Sequence, residues 1–209
     1  MPEETYNIQL DADNVNQAIL DVHSADSVPT ASSDKMVRSG GLWTYLESLR
    51  PSTGFGVYTD TVYTEGVPML VNNARVQFSC DTASYIDQLP TGITELWDVT
   101  DNSIVPENVG DGYNIRVDMR FKADALNSRF DLELDISLLG DGSNVILLDT
   151  VQCLKAANTE QRYTETHFIY SRETFVANHG RLFLNTTELG DTVSAYAMGI
   201  TIARVHKAI

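Results

Sequence analysis

From Gly54 onward the apolar residues recur at every second position. Tyr113, Ile115, Val117, Met119 and Phe121 alternate with Asn114, Arg116, Asp118 and Arg120. Phe130, Leu132, Leu134, Ile136 and Leu138 alternate with Asp131, Glu133, Asp135 and Ser137. A period of two sends successive side chains to opposite faces of a pleated strand, so both segments predict strands with one face on a core and one in water. Further strands are predicted near Phe55–Tyr63, Val67–Val71, Ala74–Phe78, Val145–Val151, Tyr163–Tyr170, Arg181–Leu184 and Ser194–His206. Turn-forming clusters separate them, among them Asn72-Asn73, Gly110-Asp111-Gly112, Gly140-Asp141-Gly142, Asn178-His179-Gly180 and Gly190-Asp191. Short strands at this spacing, with no strand–helix–strand alternation, predict a mainly β fold: an antiparallel jelly-roll β-sandwich.

Before Pro51 the spacing is helical. Val15, Ala18, Ile19 and Val22 stand at i, i+3, i+4 and i+7, and so do Leu42, Tyr45, Leu46 and Leu49. Asp13 or Asn14 is placed to cap the first pattern, and Pro51 closes the second. Between them, Ala25 to Ser33 has a loop composition. Helices of about ten residues are not stable alone in water, so their apolar sides need a partner. The chain therefore divides into a short helical amino-terminal arm, residues 1–51, and a jelly-roll domain, residues 52–209.

The last predicted strand differs from the others. Tyr196, Met198, Ile200 and Ile202 form one apolar face, and Ala195, Ala197, Gly199, Thr201 and Ala203 form a small, uncharged one. A strand face in water ordinarily carries charge, whereas small residues let backbones or sheets approach closely. Two readings follow: a central strand covered on both sides within one subunit, or a face that packs on symmetry copies. The second makes Ala195, Tyr196, Ala197, Met198, Ile200 and Ile202 an interface between copies, and a jelly roll with one sheet facing a threefold axis, a trimer interface, would satisfy both observations.

Charge narrows the partners. The 209 residues include 14 basic and 29 acidic ones, a formal charge of −15, so phosphate backbones and anionic membrane surfaces repel the chain. Neither a nucleic acid nor a membrane is an expected partner. No apolar run reaches the roughly 18–20 residues that span a bilayer, and the acidic start Met1-Pro2-Glu3-Glu4 is not expected to act as a secretory signal. Cys80 and Cys153 are too few for a disulfide framework or a cysteine-rich zinc site, and both are expected to be buried thiols.

Catalytic signatures are sparse. His23, His167, His179 and His206 fall in no HExxH or HxH pattern, and there is no GxSxG elbow, Walker loop or GxGxxG. Asp131, Glu133 and Asp135 form an acidic row whose spacing, about 6.5–7 Å between alternate residues, fits a paired-carboxylate hydrolase. Pairing with Arg116 and Arg120 on the preceding strand is the competing and preferred reading. Asp98, Asp101 and Asn102, or Asp11 and Asp13, offer oxygens for calcium without the EF-hand pattern. No cofactor, no metal and no enzymatic activity are expected.

Two stretches carry a family resemblance. Asp26-Ser27-Val28-Pro29-Thr30-Ala31-Ser32-Ser33-Asp34-Lys35-Met36-Val37-Arg38-Ser39-Gly40-Gly41-Leu42-Trp43 resembles a segment of bacteriophage fibre and appendage proteins that leads into a short helix. Met36 stands where those proteins carry Leu, and Leu42-Trp43 where they carry Val-Tyr. Leu96-Trp97-Asp98, Ile104-Val105-Pro106-Glu107, Gly110 to Arg116 and Arg204-Val205-His206-Lys207 resemble phage virion proteins with a trimeric jelly roll of the tumour-necrosis-factor/C1q type. The resemblance implies a non-enzymatic homotrimer on the virion surface: a capsid decoration protein of the cement or head-fibre kind. Its arm would dock on the major capsid protein or another virion component through Val15, Ala18, Ile19, Val22, Leu42, Tyr45, Leu46 and Leu49. The alternative is a tail-fibre or receptor-binding tip, with a host-surface glycan or protein bound near exposed aromatics such as Trp97 or Tyr85.

Overall fold

The computed structural model describes residues 52–187 and 191–208. The arm, with Val15, Ala18, Ile19, Val22, Leu42, Tyr45, Leu46 and Leu49, lies outside them, as does Gly190.

Twelve strands follow in chain order: β1 (Gly54–Thr59), β2 (Met69–Asn72), β3 (Arg75–Gln77), β4 (Thr82–Tyr85), β5 (Trp97–Asp98), β6 (Ser103–Ile104), β7 (Gly112–Ala123), β8 (Arg129–Asp135), β9 (Val145–Gln152), β10 (Gln161–Tyr170), β11 (Gly180–Asn185) and β12 (Thr192–His206). Among the described residues one α-helix, α1 (Glu173–Asn178), precedes β11. The strands make two six-stranded antiparallel sheets. The first runs β10-β7-β12-β1-β4 with β2 also on β12; the second runs β5-β6-β11-β8-β9 with β3 also on β11. Most successive strands cross between the sheets: only β1 to β2, β5 to β6 and β8 to β9 stay within one. This is the jelly-roll sandwich that the alternating pattern predicted.

The core lies where the two inner faces meet. Tyr113, Ile115, Val117, Met119 and Phe121 of β7 and Phe130, Leu132 and Leu134 of β8 are all buried. The chain crosses from sheet to sheet over residues 124–128, with Asn127 left-handed at φ 68°, so these two apolar rows face each other. Phe121 and Phe130 meet edge-on, with centroids 5.2 Å apart. The crossing overturns one expectation: β7 and β8 are not neighbours, so Arg116 and Arg120 do not face Asp131 and Asp135.

Two further expectations are corrected. β8 stops at Asp135 rather than running to Leu138, because Asp135 accepts hydrogen bonds from the Ser137 amide and hydroxyl and turns the chain. Leu138 begins a single 3-10 turn and is exposed. Trp97 is fully buried, its Nε1 donating to the Cys80 carbonyl at 2.9 Å. It is a core residue and offers no ring to a glycan.

Candidate functional site

The outer face of the first sheet carries the feature that the last strand hinted at, in altered form. β12 contains a β-bulge. Tyr196 pairs with Arg120 and Gly199 with Asp118, so three steps on β12 match two on β7, and Ala197 takes φ +50° to absorb the extra residue. The bulge reverses which positions face inward. Before it, Val193 and Ala195 enter the core; after it, Met198, Ile200 and Ile202 do. Tyr196 therefore lies on the opposite face from Met198, not beside it. There Lys122 Nζ stands 5.9 Å from its ring centroid and its hydroxyl donates to Glu160 Oε2 at 2.6 Å.

This relocates the predicted trimer residues. Ala195, Tyr196, Met198, Ile200 and Ile202 are buried within the subunit and have no surface to give to another copy. Of the six, Ala197 alone is exposed. The residues that face outward after the bulge are Gly199, Thr201 and Ala203. Register places them beside Thr59, Val57 and Phe55 of β1 respectively. The result is a strip of small and apolar side chains, none charged, along the middle of the sheet. The strip ends at the β1–β4 side in an exposed stacked pair, Phe55 and Tyr85, with centroids 5.7 Å apart.

Charge lies to the other side of the strip. Arg116 and Asp118 pair with Thr201 and Gly199 across β7. Two guanidiniums share the one carboxylate: Arg116 Nε lies 2.9 Å and Arg162 Nη2 3.2 Å from Asp118. Burial alone would raise the Asp118 carboxyl, but the Thr164 hydroxyl at 2.7 Å and the two arginines outweigh it and hold it below the usual range.

Among the described residues a second exposed apolar surface lies at one side of the sandwich. β9 pairs with β8 and β10 with β7, and each is the outer strand of its sheet. Ile146 and Leu147 on β9 and Phe168 and Tyr170 on β10 are 42 to 58% exposed. Phe168 and Tyr170 meet edge-on at 5.2 Å. Over Val145 to Leu148 β9 has no charge and no proline, the usual protection of a free strand edge. Between the strands, the Tyr163 hydroxyl donates to Asp149 Oδ2 at 3.0 Å and lies 3.1 Å from His167 Nε2. Burial, then the Asp149 carboxylate, push the Tyr163 phenol well above its ordinary range.

The acidic row is a structural cluster. Arg75 of β3 donates from Nε to Glu133 Oε2 at 2.7 Å and its Nη2 lies 2.8 Å from Asp135. Asn185 donates to Glu133, and Thr150 to Asp131. Arg75 also lies over the Phe183 ring, 3.6 Å from its centroid. The cross-strand ion pairing expected for this row is present, but with Arg75 as the base. The calcium candidates among the described residues serve the chain itself. Asp98 accepts from the Thr100 and Asp101 amides, Asp101 pairs with Arg181, and Asn102 accepts from the Cys80 amide. Among the described residues no three His, Cys, Asp or Glu side chains converge as a metal site.

Sequence reasoning missed Val57, Thr59 and the edge cluster. The strip was findable from a change of phase in β12: Val193 and Ala195 are odd-numbered, Met198, Ile200 and Ile202 even-numbered. An inward row cannot change parity without a bulge between.

No family model matches the chain and no curated protein matches it. Among solved structures, it is similar to the PRD1 vertex protein P5, with 16% identity over 74% of this chain and 73% of that one and a TM-score of 0.40. It is similar to an Eiger TNF from S. frugiperda, with 12% identity, 75% and 94% coverage and a TM-score of 0.41. It is also similar to the globular domain of a zebrafish complement 1qA protein, with 4% identity, 76% and 100% coverage and a TM-score of 0.43.

Proposed function

We propose that this chain is a non-enzymatic virion structural protein, a homotrimeric capsid decoration protein whose jelly roll assembles with its copies and whose arm, residues 1–51, attaches it to the particle. The observation that carries the assembly half is the uncharged strip of Gly199, Thr201, Ala203, Val57 and Thr59 on the outer face of a sheet in a chain of net charge −15. A strand face destined for water has no reason to lack charge over three successive outward positions on two neighbouring strands.

A closed ring of copies needs two different patches on each subunit, one to give and one to receive. The strip supplies a flat, small-residue face. The β9 edge supplies protruding apolar side chains in Ile146 and Leu147, and Phe168 and Tyr170 of β10 add exposed rings on the strip's own face, across β7 from Ala203. The attachment half rests on the amphipathic spacing of the arm and on its resemblance to phage appendage segments.

Sedimentation of the full chain tests the first half. Thr201→Arg places a charge in the strip without touching the core, and is expected to convert trimers to folded monomers. Point changes in the arm test the second half: Leu46→Asp with Leu49→Asp is expected to leave trimers intact but abolish binding to particles stripped of the protein. Trimers unaffected by Thr201→Arg, or particles still decorated by the arm variant, would overturn the respective half.

A further inference from the structure

We infer that Asp81 of one copy seats against the Arg120–Arg162 pair of the next, an ion contact that fixes the direction and the height at which subunits join. The inference rests on the assembly reading above and names the charged contact that orients it.

The two margins of the uncharged strip differ in charge. On the β7–β10 side, Arg116, Asp118, Arg120 and Lys122 of β7 face outward, with Arg162 and Thr164 of β10 beside them. Four of the chain's 14 basic residues thus share one margin. Register sets Arg162 directly opposite Arg120, and like charges so placed disfavour the sheet. Carboxylates offset them only in part. Arg162 shares Asp118 with Arg116, and Arg120 reaches Glu160 at 3.4 Å. Lys122 is matched by Glu65 at 2.7 Å. A hollow of about 450 Å³ opens among Arg116, Arg162 and Thr164.

The β1–β4 side has no cation. Between Ser52 and Ile115 the one lysine or arginine is Arg75, which is committed to Glu133 and Asp135 of the other sheet. Asp81 directly precedes β4. Its oxygens accept from neutral groups, the Thr61 amide and hydroxyl and the Thr82 hydroxyl. Among the described residues it has no basic partner. Pairing fixes its height on the sheet. Thr82 pairs with Thr59, Thr59 with Gly199, Gly199 with Asp118 and Asp118 with Thr164. Two residues further in the same direction stand Thr61, which holds Asp81, and Arg120 and Arg162.

A threefold axis along the strip carries each residue round at constant height and sets one margin of each copy against the opposite margin of the next. The base-rich margin then meets the acidic one, with Asp81 level with Arg120 and Arg162. A side-by-side twofold contact would set each margin against itself, base on base or acid on acid. Charge complementarity therefore selects the cyclic arrangement over the paired one.

The test is sedimentation equilibrium of the full chain carrying Asp81→Asn, Arg162→Gln or both. Asn keeps an acceptor oxygen for Thr61, and Asp118 keeps Arg116, so the local bonds of the free subunit survive. Each single change is expected to weaken a subunit contact by about fivefold. A closed ring multiplies this over its three contacts, to about a hundredfold in the trimer constant, and the double variant is expected to assemble no more weakly than the single ones. The direction is diagnostic. Copies of net charge −15 repel one another, so removing an acid outside the contact, as in Asp87→Asn, is expected to leave assembly unchanged or tighten it. Asp81→Asn trimers as tight as wild type, or additive losses in the double variant, would overturn this contact alone and leave the arginines to an anionic partner outside the chain. A chain that is monomeric at every concentration overturns the assembly reading itself.

Discussion

Asp135 is the most heavily bonded carboxylate of the second sheet, and replacing it by Asn separates charge from shape. The side chain is fully buried. Its Oδ1 accepts from the Ser137 amide at 2.8 Å and the Ser137 hydroxyl at 2.5 Å; its Oδ2 accepts from the Gly142 amide at 2.8 Å and faces Arg75 Nη2 at 2.8 Å. An Asn of the same outline retains one acceptor. Its NH2 points either at Ser137 or at Gly142 and Arg75, so a donor meets donors. Losing a charge-assisted bond removes about 1.5–3 kcal/mol, and stranding a buried donor adds about 1–3 kcal/mol. Arg75 retains Glu133 at 2.7 Å, which limits the loss, so Asp135→Asn should destabilise by about 3–4 kcal/mol. At a urea m-value of about 2 kcal/mol/M the midpoint falls by about 1.5–2 M. Protein concentration must be held fixed, because the proposed assembly would add to apparent stability. The pH dependence gives an independent check. Burial raises the Asp135 carboxyl, but the Ser137, Arg75 and Gly142 bonds together hold it below the usual range. Its folded value is depressed, so its contribution is complete above the unfolded value near 4 and is lost as pH falls through the folded value. Wild type should lose stability below about pH 4 more steeply than Asp135→Asn. A midpoint shift under about 0.5 M with parallel acid limbs would refute the assignment of these bonds as the restraint on the 137–142 turn.

Two further outcomes follow from packing and burial. At Gly180 an added Cβ would lie 2.4 Å from Phe175 Cε2 and 2.9 Å from Leu134 Cδ1, so Gly180→Ala should lower stability by about 1–3 kcal/mol in thermal melts through overpacking between α1 and β8. Cys80 and Cys153 are fully buried, and burial pushes both thiols up, Cys153 to about 11. Neither should react with a thiol-disulfide reagent at pH 8 until the domain unfolds, and a native burst of one equivalent would contradict this.

How much of this was legible follows from length and one-sidedness. β7 and β8 each bury a long unbroken alternate row against one core, so their periodicity survives in the sequence. β4 is exposed at all four positions, and β5 and β6 are two residues each. Such strands carry no period, and the pairing that defines them is tertiary. α1 spans six residues around the single buried Phe175, fewer than two turns, and so shows no helical repeat. The partner of the acidic row was hidden for a different reason. Arg75 comes from β3, which reaches β8 only through β11, and nothing local to residues 129–135 points there. The bulge is easily passed over because Tyr196 and Ala197 suit either face of a sheet, and only the change of parity from Ala195 to Met198 marks it.

The polar clasp at the domain's ends connects these local facts to the proposed assembly. Arg204, inward-facing and 1% exposed, donates from Nε to the Ser52 carbonyl at 2.7 Å, and its Nη1 lies 2.5 Å from Glu107 and 3.5 Å from Asp111. The fully buried Asp111 in turn accepts from the Tyr113 hydroxyl at 3.2 Å and from the Ala208 amide at 2.8 Å. The first and last described residues of the jelly roll are thus fastened to one buried ion cluster at the same end of β12. Cyclic symmetry about an axis along the strip would bring three copies of Ser52 to one end of the trimer, where three arms begin together. Three arms on one rigid base convert weak single attachments into a strong joint one, because after the first has bound, the others search only the volume their linkage allows. On the proposed attachment, an arm that binds weakly alone would then suffice. Breaking the trimer at the strip should therefore weaken particle binding by far more than threefold, although no residue of the arm has changed.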